Sequence, residues 1–129
     1  MSPPRSDSQR LWAVRGAVQV ERNARDAILA STTELMQELM ARNQLDVDRM
    51  VSCIFTCTDD LDAEFPAVAA RELGLGQVPL LCNRELDVPG AMARVIRVLV
   101  HYYADDGHAP EHTYLGAAQA LRADLHSAQ

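Results

Sequence analysis

At 129 residues, 48% of them hydrophobic, and with a formal net charge of −6, the chain fits one soluble domain with a sizeable core. All 12 basic residues are arginine, which removes the lysine-dependent chemistries (Schiff-base, pyridoxal-phosphate and P-loop enzymes), and an acidic chain with few aromatics is a poor partner for nucleic acid. Cys53, Cys57 and Cys82 lack CxxC or His/Cys ligand spacing, no apolar run approaches the ~20 residues of a membrane helix, and the polar start lacks a signal peptide's apolar middle, so a cytoplasmic protein without disulfides or structural zinc is expected.

Residues 1–10 are expected to form a disordered leader, residues 11–125 the domain, and residues 126–129 a flexible tail. "LWAVRGAVQV" (residues 11–20) alternates as a first strand does, and Asn23 can cap the next element. Over residues 24–42, Ile28, Leu35, Met36 and Leu39 recur at helical spacing, which predicts an amphipathic helix of roughly five turns packed on a sheet. "MVSCIFTCT" (residues 50–58) is a second strand, and residues 59–74 form a loop and a short helix that Gly74 ends. "QVPLLC" (residues 77–82) is a third strand, and Pro89-Gly90 marks a turn before a fourth over residues 93–102. "EHTYL" (residues 111–115) could add a fifth strand, and "GAAQALRADL" a last helical piece. This order predicts an α+β (mixed α/β) fold: a five-stranded mixed sheet with one long helix and short helices on one face. Several strands are apolar on both faces, so a dimer or trimer is expected to bury the second one.

Two strand arginines break the pattern. In "ARVIRVLVHY", Arg97 shares a face with Val95, Leu99 and His101; in "WAVRGAVQV", Arg15 shares one with Leu11, Ala13 and Ala17, and Gly16 would let something approach the backbone closely. A guanidinium there needs an anion, either an internal acid such as Glu85 or Glu21, or a ligand. Glu85 beside arginines should stay ionised and accept hydrogen bonds. Arg71 lies on the short helix, where solvation alone would explain it. The four histidines, His101, His108, His112 and His126, lack HxxxH or HExxH spacing and are expected at the surface or in loops. Cys53 and Cys57 look like strand core, leaving an anion site without an evident nucleophile, metal or cofactor.

"VRGAVQVERN", "FPAVAAREL", "VPLLCNRELDVPGAMARVIRVLVHY" and "HTYLGAAQALRADL" resemble, in order and spacing, the small homotrimeric α/β class of monofunctional chorismate mutases. The RGA-x-x-VE opening and the C-x-x-E-x-D-V-x-G block followed by arginine carry the likeness together. The resemblance implies an isomerase of aromatic amino-acid biosynthesis in the shikimate pathway, which turns chorismate into prephenate by an intramolecular Claisen rearrangement and needs no cofactor. It also implies a trimeric pseudo-barrel with sites at the subunit clefts. On this likeness Arg97 reaches the ether oxygen, Arg15 and Tyr114 hold substrate carboxylate, and Glu85 with Cys82 address the ring hydroxyl and the positive side of the breaking system. Phe65 and Leu121 are apolar walls supplied by a neighbouring subunit, and Arg71 and Arg122 lie near the entrance. Val68 stands where the family carries a lysine and Leu81 where it carries a threonine. The alternatives of similar architecture are a trimeric enamine/imine deaminase-like protein and a small-anion-binding module.

Overall fold

The computed structural model describes residues 8–121; Arg122 and the expected tail lie outside them. Strand β1 (Gln9–Gln19) begins two residues before the expected Leu11, because Gln9 and Arg10 pair with Asp105 and Ala104 of a long central strand. Helix α1 (Arg25–Asn43) follows, then β2 (Met50–Cys57), α2 (Pro66–Ala70), β3 (Leu80–Arg84), β4 (Val95–Asp105) and β5 (Thr113–Leu115). The sheet order is β3-β2-β4-β1-β5. β4 runs antiparallel to both neighbours, while β2/β3 and β1/β5 are parallel, so the expected five-stranded mixed sheet is present.

Alternation along the strands divides the two faces. Ile96, Val98, Val100 and Tyr102 of β4, with Val14, Val18, Cys53 and Phe55, turn toward α1 and meet Ile28, Leu35, Met36 and Leu39 in the main core. Arg97, Leu99 and His101 take the opposite, half-exposed face. One short element departs from the expected one-sided arrangement: Ala118, in the 3-10 turn Gly116–Gln119, packs with Ala17, Val95 and Tyr114 on the far side of the sheet.

Where the element ends differ from expectation, a local cause is visible. Asn23 is not the cap of α1. Ala24 holds that position without a side-chain bond, and the Asn23 Oδ1 instead accepts from the backbone N–H groups of Asp62 and Ala63, fastening the loop that carries Phe65. β3 starts at Leu80 and not Gln77, since Pro79 has no N–H to give a ladder; its carbonyl accepts from Cys53 N–H, and pairing continues to Glu85 N–H on the Cys57 carbonyl at 2.8 Å. β4 waits until Val95 because Arg94 sits at φ 52°.

Gly16 does admit a close approach, from the protein itself. A Cβ there would lie 2.9 Å from the Thr113 carbonyl oxygen and 3.0 and 3.1 Å from the Cδ1 atoms of Leu39 and Leu35. The carbonyl belongs to the β1/β5 pairing, in which Gly16 faces Thr113, so it cannot withdraw without opening the sheet edge. Gly16→Ala should therefore cost about 1–3 kcal/mol. Thermal denaturation followed by circular dichroism at fixed protein concentration should show Tm lower by roughly 5–10 °C. An unchanged Tm would mean that the β5 edge yields freely.

Candidate active site

Arg97 lies midway along the central strand, directly opposite Thr56 of β2. On the same face Arg15 comes from β1, Tyr114 from β5, and Glu85 from just beyond the last rung of β3. Together with Ile54 and Leu99, these side chains line an open cavity of about 200 Å³. Four of the expected site residues, widely separated in sequence, are thus brought together by the sheet order.

The Arg97 Nη1 donates to Glu85 Oε2 at 3.2 Å, and the Thr56 hydroxyl donates to the same oxygen at 2.8 Å; the Leu86 N–H donates to Oε1 at 3.1 Å. Partial burial would raise the Glu85 pKa. The Thr56 and Leu86 hydrogen bonds and the adjacent Arg97 charge outweigh it and hold the carboxyl below the usual carboxylate range. Glu85 is therefore an ionised acceptor at neutral pH. Of the two internal acids considered for the strand arginines, Glu85 pairs with Arg97, whereas Arg15 forms no ion pair among the described residues. The Arg15 backbone N–H donates to His112 Nδ1 at 3.1 Å.

Cys82 and Phe65 lie elsewhere. Both line a second cleft of about 450 Å³, with Cys57, Leu61, Pro66 and Arg84, beside the start of α2. Cys82 pairs with Phe55, a core-facing residue, so its side chain leaves the sheet on the face opposite to that of Arg97. Within one subunit it stands on the other side of the sheet from Glu85. Phe65 is 65% exposed, an unusual state for a ring at the mouth of a cleft. Arg71 is exposed in the π-turn Arg71–Leu75; its charge helps to lower the pKa of Glu64, which lines this cleft, and opposes the burial that raises Cys82. Leu121, expected as an apolar wall supplied by a neighbouring subunit, packs in its own chain at the Ala17, Val95, Tyr114 and Ala118 cluster. A more voluminous polar cleft of about 640 Å³, bordered by Gln9, Asn43, Arg49, Asp105 and His108, holds none of the expected site residues.

The thiols are poor nucleophiles. Burial, reinforced by Cys82, pushes Cys53 up to about 12 and Cys57 up to about 11, and burial also raises Cys82 against the lowering effects of the Ala67 backbone and Arg71. Three histidines are more committed than expected. His101 bonds the Ser52 hydroxyl at 3.0 Å, His108 bonds the buried Tyr102 hydroxyl at 2.6 Å, and His112 receives the Arg15 N–H. Thr56 and His112 were not legible as site residues. The available signal for Thr56 was its alternation with Ile54, which becomes useful only when the β2/β4 register is known.

Residues 11–125 match the family described as chorismate mutase type I. The chorismate mutase AroH of Thermus thermophilus is 43% identical over 118 residues, covering 90% of this chain and 97% of that protein. That of Bacillus subtilis (strain 168) is 37% identical over 117 residues, covering 87% and 90%. A solved structure of a chorismate mutase from Clostridium thermocellum superposes with a TM-score of 0.77 at 41% identity, covering 84% of this chain and 98% of that one.

Proposed function

Because the chain belongs to the chorismate mutase type I family, we propose that its two clefts are complementary halves of one active site, closed between neighbouring subunits of a homotrimer. The protein is an isomerase that converts chorismate to prephenate, and the family match decides for this activity over a deaminase-like or anion-binding protein. The trimer, its pseudo-barrel closure and the residue roles are our reading.

One observation carries that reading. The Arg97 cavity, about 200 Å³, falls short of the roughly 300–1,000 Å³ of an ordinary small-molecule pocket, while the second cleft presents a bare aromatic ring, Phe65, at its mouth. The subunit also exposes Leu11, Leu81 and Tyr103 along its strands, surface that a second copy would cover.

In this arrangement Arg15 and Tyr114 hold the dianionic substrate by carboxylate, and Phe65 and Arg71 of the neighbouring subunit complete the walls. The ring is confined in its compact conformer, which brings the carbon atoms that will bond into contact. As the C–O ether bond breaks and the C–C bond forms, negative charge grows on the ether oxygen and positive charge on the ring. Arg97 meets the first and the Glu85 carboxylate the second. No proton moves and no adduct with the protein forms, so protonated thiols serve as well as any. Free cysteines suit a reducing compartment, and we place the enzyme in the cytoplasm.

The test combines loss of chorismate absorbance with sedimentation equilibrium on one preparation. Activity should travel with a species of three subunits. A monomer with full activity would sink the shared site while leaving the reaction intact.

A further inference from the structure

We infer that Thr56 is a positioning residue for Glu85: its hydroxyl, with Arg97, saturates one carboxylate oxygen and thereby assigns the other to the substrate. The inference rests on the reading that Glu85 acts on bound substrate. A carboxylate oxygen offers two acceptor directions. On Oε2 both are used, by Thr56 at 2.8 Å and Arg97 at 3.2 Å, while Oε1 receives only the Leu86 N–H among the described residues. Oε1 thus keeps one free direction.

The geometry is fixed by pairing. Thr56 and Arg97 are partners in the β2/β4 register, so their side chains rise side by side from one face, and Glu85 enters across them from the end of β3, its own N–H held by the Cys57 carbonyl. Remove the hydroxyl and the carboxylate keeps a charged partner but loses the shorter of its two Oε2 contacts. It can then rotate about its last bond, and Arg97 is drawn from the ether oxygen toward an under-satisfied anion. The charged and titratable groups facing Glu85 are Arg97 from β4, Arg15 from β1 and Tyr114 from β5; β2 adds only Thr56 and Ile54. With Thr56 among the groups that lower the Glu85 pKa, its loss moves that pKa upward.

The experiment compares wild type, Thr56→Val, Thr56→Ser and Glu85→Gln in full pH profiles of kcat and KM, with a carbon-13 titration of the Glu85 carboxyl. Valine keeps the shape and β-branching that suit a strand, and serine restores the hydroxyl. Thr56→Val should lower kcat about tenfold with little change in KM, the loss of one hydrogen bond to a charged group. Its acid limb and the Glu85 titration should both move to higher pH. Thr56→Ser should return all three toward wild type. A merely structural threonine would lower Tm without moving the limb, and that result overturns the inference. So does a Thr56→Val enzyme with unshifted titration beside an impaired Glu85→Gln. A Glu85→Gln enzyme with wild-type turnover would remove the role of Glu85 itself, and with it this assignment.

Discussion

Arg97→Ala should lower kcat by hundreds-fold or more, about 3–4 kcal/mol, while the chain still folds and assembles. Two energies compete at this position, and their sizes separate them. The ion pair with Glu85 spans 3.2 Å, with the two side chains 37% and 26% exposed, so breaking it costs folding no more than about 1 kcal/mol. Charge on the ether oxygen develops only in the transition state, and a preorganised donor in a closed site is worth about 3–4 kcal/mol there. The kinetic effect therefore exceeds the structural one severalfold. An isosteric neutral replacement should be nearly as damaging, since it keeps shape and loses charge. Arg15→Ala should behave differently. A carboxylate binder acts on ground state and transition state alike, so its loss should mainly raise KM. Steady-state kinetics and circular dichroism on the same preparations would show the difference in kind. A folded Arg97→Ala trimer with wild-type kcat would reduce this arginine to a structural partner of Glu85.

That contrast depends on which residues share a cavity, a question on which the sequence was informative in some places and silent in others. The period-2 pattern separated Arg97 from Ile96, Val98, Val100 and Tyr102, but with both strand faces largely apolar it did not say which face is half-exposed; the packing of α1 decides that. The apolar spacing of Ile28, Leu35, Met36 and Leu39 located α1 and its buried stripe. What periodicity cannot carry is position relative to distant chain. The resemblance grouped Cys82 with Glu85, three residues on, but a strand turns side chains an odd number of residues apart to opposite faces, so within one subunit they stand on different sides of the sheet. The resemblance made Leu121 and Phe65 apolar walls from a neighbouring subunit; only packing shows that within its own chain Leu121 lies beside Tyr114. Asn23 looked like a helix cap because it precedes α1, yet its amide meets more donors in the 60s loop. Asn43 gave no signal at all. Buried at the end of α1, it donates to the carbonyls of Leu39 and Glu111 and accepts from Glu111 N–H, fixing the segment that delivers Tyr114.

Two inactive chains should make an active enzyme when mixed. In the proposed ring of three, each interface is heterologous, and the Arg97 half of one subunit would meet the Phe65 half of the next. An Arg97→Ala chain has a dead first half and an intact second. A chain carrying Phe65→Ala and Arg71→Ala has the reverse, and it should fold, because Phe65 is 65% exposed in the single subunit and Arg71 is exposed on the surface. Each chain alone should form trimers with little activity, the second because its substrate loses an aromatic wall and a cation. Equal mixing with random reassociation, from denaturant or by coexpression, leaves an interface intact only where the second chain supplies the Arg97 half and the first supplies the Phe65 half. That arrangement occurs at about one quarter of interfaces, so about one quarter of wild-type activity should return. Native mass spectrometry of the mixture establishes that mixed trimers have formed. A site complete within one subunit gives no recovery, since every chain in the mixture carries a lesion. Mixed trimers that stay inactive would therefore return both clefts to a single chain, and the small Arg97 cavity would need another explanation for its missing wall.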